Sequence, residues 1–118
     1  MDGDISLIWC KNISRYILNI LIKMEIKPNE TIIESDLDIL GSKEEAWKAS
    51  MRIHYLTNNH LIKKATTNGG WDILYQDPTD LRYWELTSPK GEYHGGGPLR
   101  LSYVSNQDAI LKYNLDKL

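Results

Sequence analysis

The chain has 118 residues, a formal charge of −2 at pH 7 and 42% hydrophobic residues. A chain of this length and composition is typical of one soluble domain with its own hydrophobic core. Cys10 is the only cysteine, so an internal disulfide is excluded and a reducing compartment is favoured. The acidic balance argues against nucleic-acid binding, which usually requires a basic excess.

The N-terminal residues are predicted to be neither a signal peptide nor a membrane span. Asp2 and Asp4 stand where a signal peptide carries basic residues. The apolar stretch 5–26 is interrupted by polar residues, whereas a membrane span needs about 20 nearly uninterrupted apolar residues. We therefore expect a cytoplasmic protein with no membrane partner.

An apolar helix is predicted within residues 1–25, beginning near residue 6. Ile13, Ile17 and Met24 are among the residues that recur there at helical spacing. Apolar side chains lie on most sides of this helix, so it belongs either in the core or under a partner. The chain is accordingly expected to be a monomer or a weak homodimer.

A short strand at 31–34, a loop at 35–41 and a second helix follow. Ser42 and Glu45 have the spacing of a capping box, in which each side chain satisfies a free backbone N–H of the first turn. A core stripe then recurs every three or four residues, with Trp47 and Met51 on a neighbouring ridge. The helix is expected to end between Asn58 and Lys64.

Alternating strands follow the turn signal Asn68-Gly69-Gly70. Residues 71–76 and 82–87 alternate on either side of an Asp-Pro turn and predict a β-hairpin. A third strand is predicted at 99–104, and Ser105 resembles the cap of a final short helix.

This order predicts a small single α+β domain over residues 1–118. We expect a three- to four-stranded antiparallel sheet with helices packed against one face. The residues 71–104 would form its three-stranded core. Trp84 is expected to face that core, while Glu85 on the other side of its strand is expected to tolerate replacement by Lys without loss of folding.

The sharpest local motif is the His-Gly-Gly-Gly-Pro run at 94–98. Such a run holds an oxyanion in some esterases, but the G-x-S-x-G elbow that supplies their nucleophile is missing. A phosphate loop would end at a helix N-terminus, whereas Pro98 and a strand follow here. The glycines are therefore interpreted as loop-forming residues that allow unusual dihedral angles or a close backbone approach.

Catalytic, metal and cofactor sites find no support in the sequence. Cys10, His54, His60 and His94 lack the spacing of metal ligands. Carboxylates are plentiful but scattered along the chain. They are either solvated loop residues or a patch that steers a basic partner, for which the segments 34–38 and 77–80 are the candidates.

Residues 71–103 resemble the immunity protein 27 family, which accompanies bacterial polymorphic and contact-dependent-inhibition toxins. The resemblance rests on Gly70-Trp71, Asp77-Pro78, Arg82-Tyr83-Trp84-Glu85-Leu86 and His94-Gly95-Gly96-Gly97-Pro98. Looser similarity extends it to residues 26–113. Leu81 and Leu99 depart from the family, which tends to have Gly and Pro there, and the helix before residue 26 is not part of the pattern.

The resemblance implies a non-enzymatic protein that binds and neutralises the C-terminal domain of a cognate toxin. If that toxin is a nuclease, carboxylates of this chain would mimic its anionic substrate. The residues expected to contact the toxin are Asp77, Asp80, Arg82, Tyr83, Glu85, Glu92, Tyr93 and His94, beside the loop formed by Gly95, Gly96, Gly97 and Pro98. Aromatic anchors within a polar rim are typical of such interfaces.

A winged-helix DNA-binding regulator is the alternative. A second helix followed by a hairpin has that outline, and phosphate contacts could come from Lys43, Lys48, Arg52, Lys63 and Lys64. The acidic total, the third strand and the final helix argue against it. A DNA titration at several salt concentrations separates the two interpretations, because phosphate contacts weaken steeply with salt.

Overall fold

The computed structural model describes residues 25–91 and 97–115. The predicted N-terminal helix and the loop residues 92–96 lie outside the described residues. The elements are β1 (Ile32–Glu34), α1 (Leu37–Leu40), α2 (Lys43–Tyr55), β2 (Ile62–Thr67), β3 (Asp72–Gln76), β4 (Tyr83–Thr87), β5 (Arg100–Val104) and α3 (Asn106–Tyr113).

The strands form one antiparallel sheet in the order β1-β5-β4-β3-β2. This confirms the α+β class and the predicted strands at 31–34, 71–76, 82–87 and 99–104. The sheet has five strands, however, rather than three or four. The additional strand is β2, which starts where the second helix was expected to fade; it is an edge strand with mostly exposed side chains and a bulge between Lys63 and Ala65.

The predicted cap of the second helix is confirmed, because the Ser42 hydroxyl accepts a hydrogen bond from the Glu45 N–H at 3.3 Å. After α2 the chain makes one wider turn over Leu56–His60, in which the Leu61 N–H donates to the Leu56 carbonyl at 2.7 Å. The final helix α3 is capped as predicted by Ser105, whose hydroxyl accepts from the Asp108 N–H at 3.1 Å.

The loop predicted over 35–41 is wrong, because its centre forms the short helix α1. The Asp36 side chain caps this helix by accepting from the Asp38 N–H at 2.9 Å. Gly41 ends it with φ +75°. A helix of four residues is too short to show a 3.6-residue period, so only its caps could have revealed it.

The core lies on both faces of the sheet. On one face Tyr75, Trp84 and Leu101 pack with Ile53 and Leu56 from α2 and the turn after it. On the other face Leu74 packs with Ala109 and Tyr113 of α3. The expectation of helices on one face only is therefore wrong, because neighbouring strand residues point to opposite faces and both Leu74 and Tyr75 are buried.

Candidate interaction surface

Asp77 organises the turn between β3 and β4. It is buried, and its Oδ1 accepts from the Thr79 N–H at 2.8 Å and the Thr79 hydroxyl at 2.6 Å. His60 Nε2 lies 3.0 Å from the same oxygen. Burial alone would raise the pKa of Asp77, but the hydrogen bonds from Thr79 and the nearby His60 outweigh it and hold the pKa below its usual value.

Arg82 joins this turn to the chain before β1. Its Nε donates to the Asp80 carboxylate at 2.7 Å, and its guanidinium stacks over the Trp84 ring. The remaining N–H groups donate to the carbonyls of Lys27, Pro28 and Glu30. The positive charge is thus largely taken up by contacts within the fold.

Tyr83 and Glu85 lie on the face that α3 covers. Tyr83 packs against the cluster of Leu74, Ala109 and Tyr113. The Glu85 carboxylate accepts from the Tyr113 hydroxyl at 2.7 Å and pairs with Lys112. Sequence reasoning did not anticipate this role, because α3 was expected on the opposite face.

Glu92, Tyr93, His94, Gly95 and Gly96 lie outside the described residues. At the end of that loop Gly97 has φ +70°, and a Cβ there would lie 2.6 Å from the Lys90 carbonyl oxygen. Only glycine fits such a position without displacing the backbone. Pro98 follows it, half-buried.

Several segments that are distant in sequence lie together at one end of the sheet. We call it the loop end: the turn Asn68–Gly70 with Trp71, the described residues on either side of 92–96, and α1. Lys90 Nζ lies 2.8 Å from a carboxylate oxygen of both Asp36 and Asp38. These two hydrogen bonds raise the pKa of Lys90. Gly91 borders the Trp71 ring, which would lie 4.0 Å from a Cβ at that position.

Large apolar side chains are exposed at the loop end. Leu37, Ile39 and Leu40 of α1 are exposed, as are Trp47 and Trp71. The helix α2 begins three residues after α1 ends and packs on it. Trp47 lies within about 8 Å of the first residue of α2. We call these five residues the loop-end patch. Sequence reasoning named the acidic segment 34–38 and residues 92–98 as candidates for binding, but it did not assign the exposed tryptophans or the apolar residues of α1 to a site, although the Trp47 ridge beside the core stripe was a signal for it.

The carboxylates at 34–38 are mostly paired within the fold. Glu34 binds Arg100 at 2.6 Å, and Asp36 and Asp38 share Lys90. The hydrogen bonds from Lys90 and from the Asp38 N–H hold the pKa of Asp36 below its usual value. Asp38 nevertheless remains largely exposed on the rim of the loop-end patch.

Metal-ligand clusters and membrane-spanning helices are both absent from the described residues. Within them, no group of three His, Cys, Asp or Glu side chains is arranged to hold a metal ion. In the same part of the chain, no helix has the length and apolar character that crossing a membrane requires.

Comparison with known proteins identifies the family of the chain. The model of the family described as immunity protein 27 matches residues 39–105, which is more than half of the chain. The match begins within α1, ends at the cap of α3 and includes the loop end except for residues 36–38. No curated protein and no solved structure matches the chain. The chain belongs to the immunity protein 27 family.

Proposed function

We propose that this chain neutralises a cognate bacterial toxin in the cytoplasm by binding the toxin's C-terminal domain directly. Membership of the immunity protein 27 family is the observation that carries the proposal. The free chain is a monomer or weak homodimer in this view. A nuclease is the toxin class favoured by the exposed carboxylates near the loop end, since a surface that binds nucleic acid is basic.

Exposed tryptophans support a binding role. Trp47 and Trp71 are more than half exposed, although burying an indole ring stabilises a protein strongly. Protein interfaces are enriched in Trp, which often contributes most of the binding energy. Both rings are therefore available to a partner rather than to this chain's own core.

The hydrogen-bonded group around Asp77 supports a binding function rather than covalent catalysis. Asp77 lies between Thr79 and His60, and its carboxylate accepts a hydrogen bond from the Thr79 hydroxyl. In a catalytic triad the histidine lies between the acid and the hydroxyl, so that it can take the hydroxyl proton. Here the acid occupies the middle position, and the Thr79 hydroxyl is held by a carboxylate that stabilises the turn.

The winged-helix alternative loses support on two observations. The helix α2 packs on a five-stranded sheet, where a winged helix needs only a hairpin. Two of the proposed phosphate-binding side chains are paired with carboxylates, Lys48 with Glu44 at 3.1 Å and Arg52 with Glu30 at 2.5 Å.

Co-expression tests the proposal. The proposal expects the gene directly upstream to encode a large secreted protein with a variable C-terminal domain, and that domain is the partner to use. We expect the domain to arrest growth alone, growth to resume when this chain is co-expressed, and the two proteins to co-purify. Growth arrest that persists despite abundant folded chain would overturn the proposal, and rescue without any complex would overturn its binding mechanism.

A further inference from the structure

We infer that the loop-end patch is the surface that docks on the toxin domain, and that the toxin presents there an apolar groove bordered by basic side chains. The inference rests on the proposed function and adds to it the surface and the chemistry of the partner.

The apolar exposure at this end is concentrated. Trp47, Ile39 and Trp71 are 64%, 59% and 56% exposed, and the contacts of Lys90 and Gly91 join their supporting elements. Two tryptophans with neighbouring aliphatic side chains have the composition of an interface centre. The other exposed large apolar side chains of the described residues lie on separate elements: Ile32 on β1, Met51 on α2, Ile62 on β2, Leu81 in the turn at the other end of the sheet, Tyr103 on β5 and Leu111 on α3.

The backbone under the patch is held in place before any partner arrives. Asp36 caps α1 through the Asp38 N–H and also binds Lys90. Gly97 approaches the Lys90 carbonyl so closely that no side chain fits between them. A surface fixed in this way loses little conformational entropy on binding, which favours affinity.

The charges around the patch favour a basic partner over an acidic one. Around the border of the patch lie the exposed carboxylates of Asp38, Glu44 and Glu45, the buried carboxylate of Asp36 and the ammonium groups of Lys43, Lys48 and Lys90, which together carry a net charge of −1. Lys90 is engaged by two of the carboxylates, and Lys48 lies 3.1 Å from Glu44 and 4.0 Å from Glu45. The Asp38 side chain is still 79% exposed. A partner with basic side chains around its groove is attracted to this border, and one with acidic side chains is repelled.

Calorimetry of the full chain with the toxin domain used for co-expression tests the surface. We expect Trp47→Ser and Trp71→Ser each to weaken binding at least tenfold. Leu111→Ser is the matched control, because Leu111 is 70% exposed on α3, and it should bind within twofold of the wild type. Thermal unfolding of each variant shows that the fold is retained, as expected for exposed positions.

The outcomes separate the two proposals. If the wild-type chain does not bind the domain, both the proposed function and this inference are overturned. If it binds and both tryptophan variants bind equally well, only the inference fails. If Trp47→Ser abolishes self-association of the chain while toxin binding is unchanged, the patch is a dimer interface and the inference is wrong.

The charge of the border has its own test. Replacing Glu44 and Glu45 together by Gln should slow association with the toxin domain severalfold at low salt and flatten its salt dependence. Asp108→Asn removes an exposed carboxylate from α3 and serves as the control. An unchanged association rate in the double variant would overturn the basic border assigned to the partner.

Discussion

The guanidinium of Arg82 lies over the indole ring of Trp84, with its central carbon 5.1 Å from the ring centroid. The same group donates to the Glu30 carbonyl at 2.9 Å and to the Lys27 carbonyl at 3.3 Å. One side chain directly before β4 therefore anchors the stretch that leads into β1, and it does so while covering the largest core residue. Arg82 of the family motif has a structural role in this fold.

Removing this anchor should destabilise the protein. We expect Arg82→Ala to lower the free energy of unfolding by about 2 kcal/mol, since several hydrogen bonds from a charged donor are lost. Arg82→Lys should recover only part of the lost free energy of unfolding, because an ammonium group cannot bind the same set of carbonyls as a planar guanidinium. Urea denaturation measures both values, and an Arg82→Ala midpoint equal to that of the wild type would contradict the assigned role.

Replacing Trp84 should destabilise the hydrophobic core. It is fully buried in the larger cluster, so Trp84→Ala should cost about 4 kcal/mol. Its indole nitrogen has no hydrogen-bond partner in the described part of the chain. Trp84→Phe should therefore cost less, because it removes fewer contacts and no satisfied polar group. Trp47→Ala is the control at an exposed indole and should change stability by at most about 0.5 kcal/mol.

The β-hairpin, the α2 cap and the α3 cap could be predicted because each depends on neighbours in sequence. Ser42 and Ser105 act within their own helical turns. Trp84 and Leu86 alternate with Tyr83 and Glu85 along one strand, and their placement on the face that α2 covers follows from the two-residue period.

The missed features depend on contacts distant in sequence. The strand β2 carries Lys63 and Lys64 and little apolar alternation, since an edge strand buries few side chains. The position of α3 on the second face is decided by its packing with Leu74, which lies about thirty-five residues earlier. The loop end likewise forms only when Lys90 meets Asp36 across the fold.

Gly97 should be far less replaceable than Gly41. Both have φ near +70°, so an alanine at either position adopts a strained backbone costing about 1 kcal/mol. A Cβ at Gly41 meets nothing within 4 Å, whereas at Gly97 it meets the Lys90 carbonyl oxygen at 2.6 Å. We expect Gly97→Ala to cost at least about 1 kcal/mol more than Gly41→Ala in urea denaturation. Equal costs would show that the loop relaxes without penalty.

Acid should destabilise the protein partly through Asp77. The folded state holds the pKa of this carboxyl below its usual value of 3.8, so near that pH the unfolded state binds more protons. The stabilisation is present above that value and is lost as pH falls through the folded pKa. Asp77→Asn cannot titrate, so its stability should be lower at pH 7 but fall less between about pH 5 and pH 2. Parallel curves for the two proteins would contradict this contribution.

Glu85→Lys is the substitution for which the structure changes the expectation most. The sequence suggested that folding would survive it, but the Glu85 carboxylate accepts from the Tyr113 hydroxyl at 2.7 Å and pairs with Lys112. A lysine there would face Lys112 and leave the buried hydroxyl without its acceptor, at a cost of about 3 kcal/mol. Glu85→Gln retains an acceptor for Tyr113 and should cost about 1 kcal/mol. Urea denaturation ranks the two variants, and a Glu85→Lys variant as stable as the wild type would show that Glu85 does not hold α3 on the sheet and would return it to the residues available to the toxin.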